Sequence, residues 1–364
     1  MKIGSLASPV QVTNTWTVAY DSGELSAAAT SLTISNINGD IDEEYQLILR
    51  EVSGVTTTQF QVRPNNDSAA NYGWQRINGQ NMGASAYRTT DDRFIASTYG
   101  GAVNEITLSV SHIYAKSGYV RTALANHASG ISGTTVTNIT SIGSSWNNTS
   151  DVITNLVVLA NQTNGIGIGS RIILLKKVTS TSGMKTGALE VQGSVYGTWQ
   201  KVYSTTLDAA ATSVTISGLD GNTDVMYRLK CRFVNGFNGA VSYLFRPNND
   251  TGTNYGFQYL AGINATASAG RNTAQTGTSI CNQADALNDI AEGEVLFYAK
   301  SGYVRTSTGS NSRAISVTTV TGIILYGQAW NNTTDNITSL VIFADSANGL
   351  GVGSFIYLEK LVLS

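Results

Sequence analysis

The sequence predicts an all-β chain built as two tandem, duplicated antiparallel β-sandwich domains of jelly-roll type. Three observations carry that prediction. The 364 residues contain one long pattern twice. Apolar residues alternate with period two in segment after segment, while helical periodicity is nearly absent. Charged residues are only 13%, and Ser, Thr, Asn and 37 Gly supply the polarity instead. That is well below the usual quarter of charged residues and favours strands joined by tight turns.

The duplication is read from markers in order. Thr15-Trp16 returns at Thr198-Trp199, and SLTIS at 31–35 returns as SVTIS at 213–217. Arg63-Pro64-Asn65-Asn66-Asp67 returns at Arg246 to Asp250, each followed shortly by Asn-Tyr-Gly. YAKSGYVRT at 114–122 returns unchanged at 298–306. WNNTSDVIT at 146–154 returns as WNNTTDNIT at 330–338, and NGIGIGSRIILLKK at 164–177 as NGLGVGSFIYLEKL at 348–361. The offset drifts only between 182 and 184, so loops differ by single residues. Such a period is far too long for a solenoid or a propeller blade; each copy is a domain. The expected order is an extended arm (1–15), a first sandwich (16–178), a Ser/Thr/Gly-rich linker or approach segment (179–198) and a second sandwich (199–364).

Within each copy, roughly eight to ten strands are expected. Tyr45 to Leu49 and Tyr227 to Phe233 alternate cleanly; Cys231 shares a face with Tyr227, Leu229 and Phe233 and reads as a small core residue. TNLVVLA and TSLVIFA suit buried strands, and RIILLKKV and FIYLEKLV close the copies. NG, DG and SG pairs punctuate hairpins. ALNDIAEGE near 286–294 is the one helical candidate.

The duplicated polar phrases supply the candidate site residues. Arg63, Asn65, Asn66 and Asp67, with Arg246, Asn248, Asn249 and Asp250, read as an ordered corner loop pinned by an Arg–Asp pair and by Asx-turns. The competing reading is a Ca²⁺ site at Asp67 or Asp250 with Asn oxygens, although a second carboxylate is missing and no metal is expected. Tyr114, Tyr119, Tyr298 and Tyr303, beside Trp146 and Trp330, read first as hairpin contacts and core aromatics. Their alternative is a sugar-stacking platform.

Other classes find little support. His112 and His127 are replaced by Leu296 and Asn311 in the second copy, and no nucleophile elbow occurs. The shared acids, Asp67/Asp250 and Asp151/Asp335, lie in Asn-rich turns rather than as facing carboxylates. No enzyme activity and no cofactor are expected. Net charge is −2 without a Lys/Arg run, so no nucleic-acid footprint is expected. No apolar stretch approaches ~20 residues, so no membrane insertion is expected. No secretory signal is read at MKIGSLASPVQV, and the two cysteines match no metal or disulfide pattern. WNNTS and NIT fit the glycosylation acceptor pattern, which needs a secretory route.

With RPNND-TGTNYG, WNNT-x-x-x-ITSL and the closing NG-x-G-x-GS-x-I-x-L in view, nearly the whole chain resembles jelly-roll structural proteins of tailed bacteriophages. That resemblance implies a virion component made in the bacterial cytoplasm: a capsid decoration protein, or a tail fibre or baseplate part. It implies a homotrimer, six sandwiches around one axis, with phage capsid or tail proteins as partners. Host surface glycans are the partners of the carbohydrate-binding alternative. There is no heptad stalk or collagen-like stretch, which favours a compact decoration element. The arm before Trp16 is expected to act as an anchor by strand addition. Arg171 against Phe355, and segments 75–110 against 258–294, differ between copies, and partner contacts are expected there.

Overall fold

The computed structural model describes residues 14–97, 101–179, 199–264, 266–316 and 319–363. The arm 1–13 and most of the segment joining the repeats lie outside the described residues.

Each repeat is a two-layer antiparallel sandwich. In the first, β1 (Asn14–Asp21), β3 (Glu44–Val52), β5 (Tyr72–Gln80), β6 (Gly83–Asp91), β8 (Ile106–Tyr114), β9 (Arg121–Ser132), β10 (Thr135–Trp146) and β12 (Arg171–Thr179) form one large sheet. Its order is β1-β12-β3-β8-β9-β10-β5-β6. The small sheet is β2 (Ser31–Ile34), β11 (Leu156–Ala160), β4 (Phe60–Pro64) and β7 (Phe94–Ile95), in that order.

The second repeat copies this plan. Its large sheet runs β13 (Trp199–Thr206), β24 (Phe355–Leu361), β15 (Met226–Val234), β20 (Ile290–Tyr298), β21 (Arg305–Ser316), β22 (Thr319–Trp330), β17 (Tyr255–Ile263), β18 (Thr266–Gln275). Its small sheet runs β14 (Ser213–Ser217), β23 (Ser339–Ala344), β16 (Val241–Pro247), β19 (Thr278–Ala284). Twelve strands per repeat exceed the roughly eight to ten expected, because β7, β19 and the long edge hairpins carry little apolar alternation. One-turn helices α1 (Gly39–Asp42) and α2 (Gly221–Asp224) are capped by Asn38 and Asp220. Residues 286–289 form a turn and Ile290 opens β20, so ALNDIAEGE is not helical. Asp289 bonds back to Ala286 and closes that turn.

Period two decides the layers. Tyr227, Leu229, Cys231 and Phe233 point into the second sandwich, and Tyr45, Leu47 and Leu49 into the first. The intervening residues of β3 are also buried, because the two large sheets pack outer face against outer face. Ile48, Leu108, Ile173 and Leu175 of the first repeat form one cluster with Val225, Met226, Leu296 and Tyr298 of the second. Ala128, Ile131, Val136 and Ile139 form another with Leu260, Ala269 and Ala329. Polar bonds fix the register of this contact: Gln258 donates to the Asn81 carbonyl at 2.7 Å, and Tyr298 to Glu24 at 2.8 Å.

Candidate functional site

The duplicated phrases fold into one corner per repeat. Asn65 and Asn66 both sit at positive φ (52° and 55°), as do Asn248 and Asn249 (52° each). Two consecutive left-handed residues make a tight reversal, and Asn tolerates that region better than other side chains. The Asp67 amide closes the turn on the Pro64 carbonyl at 3.0 Å, and Asp250 does so on Pro247 at the same distance. The first Asn of each pair also ties down the segment that leads into the neighbouring small-sheet strand, β11 or β23. Asn65 accepts from the Thr154 amide at 2.8 Å and donates to the Val152 carbonyl at 2.7 Å; Asn248 bonds Thr338 and Asn336 likewise.

Asp67 does not pair with Arg63, which corrects the expected pin. Arg63 forms its ion pair with Asp92, and Arg246 donates to the Thr276 carbonyl at 2.5 Å and stacks over Phe343. Asp67 instead accepts from the Trp146 indole N–H at 2.8 Å, the Ala69 amide at 2.8 Å and the Asn71 amide group at 3.2 Å. Asp250 accepts from Trp330 at 2.8 Å, Gly252 at 2.8 Å and Asn254 at 2.9 Å. Partial burial raises both carboxyls, but the hydrogen bonds together outweigh it and hold them below the ordinary range. Both oxygens of each carboxylate thus face N–H donors, the opposite of what a cation needs. Among the described residues no group of three or more His, Cys, Asp or Glu is placed to hold a metal.

Trp146 and Trp330 are buried, stacked on Tyr72 and Tyr255 with centroids 6.0 and 6.2 Å apart. Sequence reasoning missed the arginine of YAKSGYVRT. Arg121 lies over the Trp146 ring at 5.3 Å and donates to the Asn148 and Asp151 carbonyls. Arg305 lies over Trp330 at 5.2 Å and donates to the Asp335 carbonyl. Burial, partly offset by Asp335, brings the Arg305 guanidinium down to about 10. The phrases RPNND, YVRT and WNNT are therefore one interlocked corner, and their joint duplication was the available signal.

The four tyrosines separate by repeat. Tyr298 is fully buried, and both Tyr298 and Tyr303 face Arg50 of the first repeat, whose guanidinium lies 4.7 and 4.1 Å from their rings. Their counterparts Tyr114 and Tyr119 are 54% and 71% exposed. Tyr114 borders an open groove of about 760 Å³ on the first repeat's large sheet, floored by Gly73 and Gly143 and edged by Leu124. A second groove of about 820 Å³ lies on the second repeat's large sheet, at Lys230, Glu292, Ile323 and Phe355, with Ile77 of the first repeat at its rim. The corner tryptophans belong to neither groove.

The histidines occupy different settings. His127 is fully buried; burial, then Arg76, pushes it down to about 3, so it stays neutral. His112 is partly exposed and lies 3.2 Å from the Gln46 amide nitrogen. Cys231 and Cys281 are buried in the second core with burial raising both thiols. No described helix is long and apolar enough to cross a membrane.

No model of a known protein family matches the chain, and no curated protein matches its sequence. Among solved structures it is similar to the mouse laminin alpha1 chain domains LG4-5, at 9% identity and TM-score 0.19, covering 100% of this chain and 96% of that one. It is similar to the LG1-3 region of the laminin alpha2 chain at 7% identity and TM-score 0.21, covering 91% of this chain and 64% of that one. Likeness to Neisserial surface protein A has 8% identity and TM-score 0.14, covering 83% and 96%. Scores this low carry no functional argument.

Proposed function

We propose that this chain is a non-enzymatic structural protein of a virion, a compact tandem sandwich that decorates or stabilises the capsid of a tailed phage and acts as a homotrimer. One observation carries the structural part of this reading. The duplicated polar residues are spent on locking the two corners, while the exposed apolar side chains Ile77, Tyr114, Leu124 and Ile323 gather on the large sheets. A protein so built presents faces to other proteins rather than a reactive group to a substrate. The phage assignment rests on the motif resemblance, with a tail fibre or baseplate position as its variant. Antibody against the purified chain, applied to particles from the source lysate, tests it. Label on the heads is expected. Label at the tail moves the protein to the fibre or baseplate, and no label on any particle contradicts the reading.

A specific observation favours glycan binding as the second reading: Tyr114 is exposed at the border of a groove, and Tyr119 is exposed five residues further along the chain. It would be a single platform per chain, since Tyr298 and Tyr303 are covered. Retention of the protein on a glycan array, lost in Tyr114→Ala, would replace the capsid reading with host attachment. No retention is expected.

A further inference from the structure

The contact between the repeats is head-to-tail rather than two-fold. One half of the first repeat's outer face covers the other half of the second repeat's. Ala128 lies where a Cβ on Gly327 would sit, and the Thr134 carbonyl where a Cβ on Gly256 would sit. The same residues one repeat earlier, Gly143 and Gly73, meet nothing comparable: Gly143 is exposed with nothing near its Cβ position, and Gly73 meets only its neighbour Ser145. A two-fold contact would have filled both.

The vacancy is consistent along the whole face. On the covering side, Val136 and Ile139 are buried in the contact, while their counterparts Val320 and Ile323 are 56% and 63% exposed. Arg50 is buried against Tyr298 and Tyr303, while its counterpart Arg232 is half-exposed and pairs with Glu292 at 3.7 Å. A Cβ on Gly169 would strike Tyr303, while its counterpart Gly353 is nearly free. On the covered side, Leu260 and Gln258 are buried, while Ile77 and Gln75 are exposed. The chain therefore holds one filled contact, one unused covering half on the second repeat and one unused covered half on the first. The groove at Gly73 and Gly143 lies on the first repeat's unused half, and the groove at Ile323 opens from the second repeat's unused half toward Ile77, Asn126 and Ser141 of the first.

We propose that the unused halves bind each other between two copies of this chain: the second repeat's β22, through Val320 and Ile323, seats on Gly143 and Ile77 of the next copy. Arg232 then stacks on Tyr114 and Tyr119 of that copy, as Arg50 does on Tyr298 and Tyr303. The occupant is a second copy because the filled contact within the chain is the template for it, and both halves of that template are present. This deepens the self-association part of the function proposed above, and it is independent of any particle. The contact between chains is weaker than the one within. Ile48 and Leu108 are replaced by Lys230 and Glu292 on one side, and Met226 and Leu296 by Glu44 and His112 on the other. Assembly is thus reversible, and closes into a ring when the rotation per copy permits.

Light scattering and sedimentation on the intact chain, from dilute to concentrated protein, test this. The wild type is expected to exceed the 38.5 kDa monomer as concentration rises. Ile323→Glu and Gly143→Leu each weaken association by about tenfold or more. Both sites are open in the monomer, so circular dichroism is expected to show an unchanged fold. Mixing the two variants is the discriminating arm. Gly143→Leu retains the covering half and Ile323→Glu the covered half, so the mixture forms a 1:1 dimer and nothing larger. A wild type that stays monomeric throughout, or variants that associate like it, overturns the proposal. So does a mixture that fails to form the 1:1 dimer. A positive result with no label on particles would sink the capsid reading and leave this one standing.

Discussion

Replacing Trp146 by Ala is expected to cost about 3–5 kcal/mol, read as a lowered urea midpoint of the transition that reports the first repeat. The ring is fully buried, stacks on Tyr72 and lies under Arg121. Its loss opens a cavity where the two sheets meet at the corner and removes one of the three N–H donors on Asp67. Trp330→Ala is expected to act alike on the second repeat, since Tyr255, Arg305 and Asp250 surround it in the same way. Tyr119→Ala, taken from the same group of aromatic candidates, is expected to stay within about 0.5 kcal/mol because its ring is exposed. Equal losses for Trp146 and Tyr119 would contradict the corner described here.

Glu51→Leu is expected to stabilise the chain by about 1–3 kcal/mol at pH 7. Glu51 is fully buried on the core side of β3, and neither carboxylate oxygen has a hydrogen-bond partner among the described residues. Burial holds the carboxyl well above its ordinary range. The folded chain keeps the proton through the pH range where the unfolded chain has released it, above about 4.3. Stability from this group is therefore greatest in acid and falls as pH rises, until the folded carboxyl itself ionises. The gain from Glu51→Leu should grow from pH 4 to pH 8. A gain independent of pH, or a loss at pH 8, would refute this. The second repeat already carries Phe233 at this place, packed in its core.

The fold was legible because it rests on local and duplicated signals. Tyr227 to Phe233 alternates in sequence as it does across β15, and the twelve-strand plan repeats because the markers do. The corner was half legible. Asn and Pro announce a tight turn, but the partner of Asp67 is Trp146, 79 residues away, and no local rule points there; proximity in sequence suggested Arg63 instead. The contact between repeats was hidden in single strands yet present in the comparison of copies. Ile48 against Lys230, Leu108 against Glu292 and Leu175 against Glu359 change polarity at one structural position. The first member of each pair joins the apolar cluster shared between the repeats and the second member does not. The divergent stretches 75–110 and 258–294 take part in this contact through Asn81, Leu108, Gln258 and Ala269.

Equivalent faces of the two repeats have unequal fates: one is covered within the chain and the other is not. The most direct test is the thermal midpoint of dilute, monomeric protein carrying either Gly327→Leu or Gly143→Leu. A side chain at 327 meets Ala128 and Val136 of the first repeat, and one at 143 meets open space. Overpacking of this kind costs about 1–3 kcal/mol. A clearly lowered midpoint is expected for Gly327→Leu and an unchanged one for Gly143→Leu. Equal shifts, or the larger loss at Gly143, would contradict it.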